Sequence, residues 1–220
     1  MQDKNKMHPD DLRNLIIFGV LSVLLWLSYD HFILKPKLEQ MRVASEVGQK
    51  AALEMQQREG MLDEVERPRN EIIAETKAGR VEIDSPLVFG SISLKGARLD
   101  DLGLKTYFET VEKDEPVHVL SPAASPYPKY VEHGWVAKDK NVRTPNKESV
   151  WSLVGGSKLT PEESIRLQWD NGQGLLFEQI ISLNEDYGFT TVQKVINNSG
   201  NDVTLYPYSL VNRRGIPKDF

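Results

Sequence analysis

Residues 165–208 read IRLQWDNGQGLLFEQIISLNEDYGFTTVQKVINNSGNDVTLYPY, and their alternation sets the fold class. Ile165, Leu167 and Trp169 alternate with Arg166 and Gln168, the two-residue period of a strand with one face in a core. Asp170-Asn171-Gly172-Gln173-Gly174 then supplies turn residues that tolerate positive φ. Leu175–Leu183 is a second strand, closed by the turn Asn184-Glu185-Asp186-Tyr187-Gly188. Phe189–Asn197 is a third, and Asn198-Ser199-Gly200-Asn201 turns again. Val203, Leu205 and Pro207 alternate with Thr204, Tyr206 and Tyr208, so Val203 and Leu205 are expected to face the core. Four strands joined by short turns predict an antiparallel meander. Pro207 has no N–H to give a ladder, which suits an edge or a strand end.

Upstream, the two-residue period holds from about residue 70. Ile72-Ile73, Val81-Glu82-Ile83, Leu87-Val88-Phe89 and Ile92-Ser93-Leu94 read as short strands, punctuated by Pro86, Gly90 and Gly96. Residues 112–150 are the least regular. Ser121-Pro122, Ser125-Pro126 and Tyr127-Pro128 favour extended or turn backbone, so one or two long loops are expected there. Ten or more short strands with little helix signal bury their alternate residues most economically as two packed antiparallel sheets. Residues 70–220 are therefore read as a β-sandwich, long enough to hold a core without disulfides. A closed barrel is the alternative.

A different segment lies before it. Leu15–Leu34, LIIFGVLSVLLWLSYDHFIL, is an apolar run of twenty residues, about 30 Å as a helix and so about one bilayer core. Its block Leu15–Leu27 holds ten Leu, Ile, Val or Phe residues, which favour insertion by roughly 3–6 kcal/mol. Leu15, Ile16, Ile17, Phe18, Leu24, Leu25 and Leu27 are assigned to the apolar span, with Trp26 and Tyr29 as interface anchors. A cleaved signal would need a small-residue site, and Lys35-Pro36-Lys37 is none, so an uncleaved transmembrane anchor is expected at 15–34. Basic residues flank the run almost evenly, so local charge leaves the orientation open. Residues 1–14 form a polar tail, and 35–69 a polar spacer. Leu38, Met41, Ser45, Gly48, Ala52, Met55, Glu59 and Leu62 fall at spacings of three and four, but Ser, Gly and Glu are poor seam occupants. A solvated, partly helical spacer is expected, with self-association as the alternative.

The residues give little support for catalysis. There is no cysteine, and His8, His31, His118 and His133 show no metal-ligand spacing. Gly155-Gly156-Ser157-Lys158 lacks most of a phosphate loop and reads as a turn. Asp100-Asp101 and Glu162-Glu163 are adjacent, so in a strand they would point to opposite faces and serve as solvated surface pairs. Thr160-Pro161-Glu162-Glu163 suits a helix-turn cap. A sugar-active sandwich would need a histidine acid with a carboxylate, for which His118 or His133 with Glu178 are the nominees, without support from spacing. A net charge of −5 and no basic stripe argue against nucleic acid. Trp169 is in phase with the core; Tyr127, Tyr130 and Trp135, in the irregular region, are nominated for surface binding. No catalytic, cofactor or metal residue is assigned.

The order of anchor, spacer and β domain carries further segments. They are Gly96-Ala97-Arg98-Leu99-Asp100-Asp101-Leu102, Leu104-Lys105-Thr106-Tyr107, Leu167 to Phe177, Val195 to Gly200, and Pro207 to Gly215. Together they resemble the N-terminal part, anchor plus periplasmic domain, of bacterial membrane protein insertases of the YidC/Oxa1/Alb3 family. The resemblance implies a supersandwich-like β domain in the periplasm and an uncleaved anchor in the inner membrane, with the N-terminus cytoplasmic. It implies insertion, folding and assembly of inner-membrane proteins, alone or with the Sec translocon. Partners would be the lipid bilayer, nascent membrane proteins and Sec accessory subunits. The family's insertase core, five further transmembrane helices, is absent up to Phe220, so this part is expected to contribute partner contact rather than insertion and to be no enzyme. A tethered carbohydrate-binding or sugar-active domain is the alternative.

Overall fold

The structure, a computed structural model, describes residues 9–35, 37–38, 41–42 and 66–215. The chain divides into two compact units, one within residues 1–50 and one within 51–220. The first is the helix α1, Pro9–Tyr29, continued by a π-helical turn over Asp30–Leu34. The second holds a short helix, α2 (Arg69–Thr76), and ten strands.

These strands form two antiparallel sheets. The larger runs in the order β1 (Arg80–Asp84), β2 (Val88–Ser93), β3 (Arg98–Phe108), β5 (Lys129–Ala137), β10 (Leu205–Arg213), and β4 (Pro116–Leu120) also pairs with β3. The smaller is β6 (Ser152–Gly155), β7 (Ile165–Asp170), β8 (Leu175–Leu183), β9 (Phe189–Asn197). The core is where the two inner faces meet. Val81, Ile83 and Ile92 from the larger sheet meet Ile165, Leu167, Phe177 and Ile181 from the smaller. Each such side chain contributes about 1.5–3 kcal/mol on burial. Trp135 of β5 packs edge-on against Phe177 of β8 at 5.1 Å and stacks with Trp151 at 6.3 Å. Two amides join the sheets: Gln179 donates to the His133 carbonyl at 2.9 Å and Gln193 to that of Gly134 at 2.8 Å.

A strap closes one side. Leu159 bridges Ile83 in parallel register, accepting from the Asp84 N–H and donating to the Glu82 carbonyl. Lys158 then reaches Asp84 at 2.9 Å and Glu82 at 3.1 Å, while Lys105 of β3 holds the other Asp84 oxygen. A segment that follows the smaller sheet's first strand thus covers the free edge of β1, which would otherwise offer unpaired backbone groups.

The antiparallel sandwich agrees with the sequence. The strand period of β7 to β9 holds residue for residue, and Gly172 and Gly174 of the turn have φ of 68° and 86°. Two expectations are corrected. Ile72 and Ile73 lie in α2, not a strand; Ile72 is buried, and Pro68 sits at the N-cap position, before the first helical turn. β10 does not continue the meander. It crosses to the larger sheet and pairs with β5 over nine residues, Leu205 opposite Ala137 to Arg213 opposite Lys129. The seven-residue connection from Asn197 to Leu205 exceeds a tight hairpin, and the edge position leaves Pro207 without a lost ladder bond. The irregular region contains β4 and all of β5, and the expected loops are the connection between them, which holds the three X-Pro pairs, and the stretch from β5 to β6.

Candidate functional site

The outer face of the larger sheet carries a layer of paired charges under α2. Its origin is a β-bulge in β3. Ser91 of β2 pairs with Asp101, but Ile92 pairs with Leu99, so Asp100 is an extra residue. The bulge re-aims the strand and brings both carboxylates to one face. Asp100 is bound by Arg80; Asp101 is bound by Arg69 and accepts from the Ser91 hydroxyl at 2.6 Å. Arg80 also donates its Nε to the Ser91 oxygen at 2.7 Å, which ties the two pairs together. The expected solvated, opposed aspartates are therefore buried and share one side, because alternation fails at a bulge.

A third pair continues the layer. Arg98 donates to Glu132 at 2.7 Å and lies 4.4 Å above the Tyr130 ring. Tyr208 of β10 donates its hydroxyl to the other Glu132 oxygen at 2.9 Å. The Tyr208 ring occupies the space beside Gly134, and the Phe89 ring that beside Gly103, where a Cβ would meet each ring within 2.6 Å. Burial, then the Glu132 carboxylate, push the Tyr208 phenol far above its usual range. Burial also raises Asp100, reinforced by Asp101 and opposed by Arg80. His118 of β4, edge-on to Phe89, is held down by burial and then by the Arg69 charge; its Nδ1 is buried without a partner.

Two clefts flank this layer. One, of about 790 Å³, lies between α2 and the sheet, with Arg69, Ile73, Phe89, Ser91 and Asp101 in its walls. The other, of about 400 Å³, is lined by Arg67, Arg80, Arg98, Tyr130 and Arg214 among others. Arg80 borders both. Every carboxylate of the layer is committed to a guanidinium.

Of the residues nominated for surface binding, Tyr130 and Trp135 are only 1% and 4% exposed, in β5, and Tyr127 is half-buried in the β4–β5 connection; Tyr130 alone lines one of the two clefts. The irregular composition around them had hidden a strand. Glu178 binds Gln168 and Lys194, which hold its carboxyl below the usual range, and neither nominated histidine is among its partners. Thr160 accepts from the backbone N–H of Glu162 and Glu163 in a turn, not a helix. Among the described residues no three His, Asp or Glu side chains converge as a metal site requires.

The apolar positions Ile17, Phe18, Leu24, Leu25, Trp26, Leu27 and Tyr29 lie along α1 with their side chains outward, Leu25 73% exposed. Leu15 and Ile16 are on the same helix. Among the described residues no helix is long and apolar enough to cross a membrane. The spacer positions Ser45 to Leu62 lie outside the described residues.

By sequence, this sandwich is a periplasmic domain of the membrane protein insertases, as comparison shows. The family model described as the YidC periplasmic domain matches residues 80–219. The chain is 37% identical over 225 residues to the membrane protein insertase YidC of Beijerinckia indica, covering 94% of this chain and 37% of that one. It is 35% identical over 229 residues to that of Methylorubrum extorquens, covering 95% and 37%. For Maricaulis maris the identity is 37% over 215 residues, covering 96% and 36%. The chain belongs to the YidC family, and it spans less than two-fifths of the length of these relatives.

Proposed function

We propose that this chain is the anchor and periplasmic domain of an inner-membrane insertase. Its role is to contact partners while the rest of such a protein inserts, folds and assembles membrane proteins, alone or with the Sec translocon. The match of residues 80–219 to a YidC periplasmic domain carries the reading. In it, Leu15–Leu34 is the transmembrane anchor, residues 1–14 are cytoplasmic, 35–69 are the spacer and 70–220 face the periplasm. The outward apolar side chains of α1 support the anchor, since a helix that is apolar without a protein partner needs lipid or another chain to cover it. The committed charge layer supports a contact surface rather than bond chemistry, with Sec accessory subunits and nascent membrane proteins as partners.

The chain has no cysteine, so single cysteines report topology directly. Val111, 92% exposed in the β3–β4 loop, is the outer reporter, and Lys4 the inner one. In cells with a permeabilised outer membrane, an impermeant maleimide should label Val111→Cys and spare Lys4→Cys. The reverse pattern overturns the orientation. A photo-crosslinker at Val192 or Tyr107, both exposed, should give adducts with Sec accessory subunits; adducts with none would remove the partner role.

A further inference from the structure

We propose that the smaller cleft is a binding site for a phosphate-bearing anion of headgroup size, such as glycerol phosphate or the headgroup of phosphatidylglycerol. Seven basic and two acidic residues line it, in a chain whose net charge is −5. Its floor is preorganised. Arg98 is fixed by Glu132 below and by the Tyr130 ring, and Arg80 by Asp100. The rim is not. Arg67 pairs with Glu75, Lys95 with Glu148, and Arg214 with Glu66, at 2.6, 2.6 and 3.8 Å, and all three carboxylates are more than half exposed. Exposed pairs of this kind contribute about 0–1 kcal/mol, so an entering anion displaces them at small cost. Lys147 lines the same cleft without an ion pair among the described residues.

The cation type and the volume together select the ligand. Guanidinium forks match phosphate oxygens in paired hydrogen bonds, which ammonium groups do as point charges. A volume of about 400 Å³ is in the range of small-molecule pockets and exceeds a bare phosphate. Thr76 and Ser93, also in the wall, donate their hydroxyl protons to the Ile72 and Lys95 carbonyls and so offer a glycerol moiety acceptor oxygens. The lipid source rests on the inner-membrane reading above; the phosphate chemistry does not.

The test is calorimetric titration of the full chain in a neutral detergent. The probes are inorganic phosphate, glycerol 3-phosphate and dihexanoyl phosphatidylglycerol, with octyl glucoside as the uncharged control. Saturable binding of glycerol 3-phosphate is expected, tighter than inorganic phosphate and weakened by salt. The double variant K95Q/K147Q should bind about tenfold more weakly, with an unchanged circular dichroism spectrum. Equal binding of the lipid and the soluble ester identifies the headgroup as a ligand; binding of the ester alone assigns the site to soluble phosphate esters. No saturation by any phosphate probe, saturation by octyl glucoside as well, or full binding by K95Q/K147Q would overturn the site. None of these outcomes depends on topology or on Sec contact, so the two readings fail separately.

Discussion

Asp100 and Asp101, neighbours on β3, lie on the same face of the larger sheet, each against its own arginine. Two carboxylates in adjacent positions of a regular strand cannot do this, and only the bulge allows it. The relation makes the charge layer depend on a backbone irregularity as much as on the side chains.

Arg80 and Asp100 are both nearly fully buried, so removing one partner leaves the other charged and desolvated. Arg80→Met alone and Asp100→Asn alone should each cost about 3–5 kcal/mol. The double variant Arg80→Met with Asp100→Asn should lose clearly less than the sum of the single losses. Urea unfolding of the three variants measures the coupling, and simple additivity would show that the pair is not coupled.

Gly134→Ala should displace the Tyr208 ring, because the new methyl would sit about 2.5 Å from the phenol carbon and oxygen. The hydrogen bond to Glu132 would be lost with it, for a cost of about 1–3 kcal/mol. Tyr208→Phe removes the same bond while keeping the ring. A thermal melt of Gly134→Ala should therefore fall at or below that of Tyr208→Phe.

Tyr208 also gives an alkaline signature. Its folded pKa is raised above the unfolded value of about 10, so the folded state retains a proton that the unfolded state releases. Its stabilisation is complete below pH 10 and declines as pH rises beyond it. In an ultraviolet titration of the folded chain Tyr208 should resist ionisation at pH 11, and Tyr208→Phe should lower the protected fraction by one tyrosine.

Asp84 gives the acid counterpart. Lys105 and Lys158 hold its carboxyl down at about 2, so the clamp is fully present above the unfolded value near 4 and fades as pH falls toward 2. The site is partly exposed, so Asp84→Asn should cost no more than about 1 kcal/mol at pH 7. The difference between Asp84→Asn and the parent should shrink steadily from pH 4 down to pH 2 in denaturant melts.

Much of the fold could be read from the chain because β7, β8 and β9 alternate cleanly and their turns use Asn, Asp and Gly. The sandwich also followed from Val203 and Leu205, which pack against the core as expected. What escaped notice depends on long-range pairing. Nothing local tells Leu205–Arg213 to choose β5 over β9, and nothing in Leu99-Asp100-Asp101-Leu102 announces a bulge. Arg69, Arg80 and Arg98 are far apart in sequence, and each alone reads as a solvated surface charge. The signal available was their count against the acids Asp100, Asp101 and Glu132. Ile72 and Ile73 were ambiguous for a different reason: two β-branched residues in a row say strand, while burial of one side and the preceding Pro68 make a helix workable.

The domain begins and finishes at one corner. Arg67 donates its N–H to the Ala124 carbonyl, Glu66 faces Arg214, and α2 runs from there over the sheet to the far edge where β1 starts. The two ends of the described unit, Glu66 and Arg214, therefore lie within a side chain's reach of each other. A unit whose ends meet can be inserted into a longer chain without prising that chain's own elements apart.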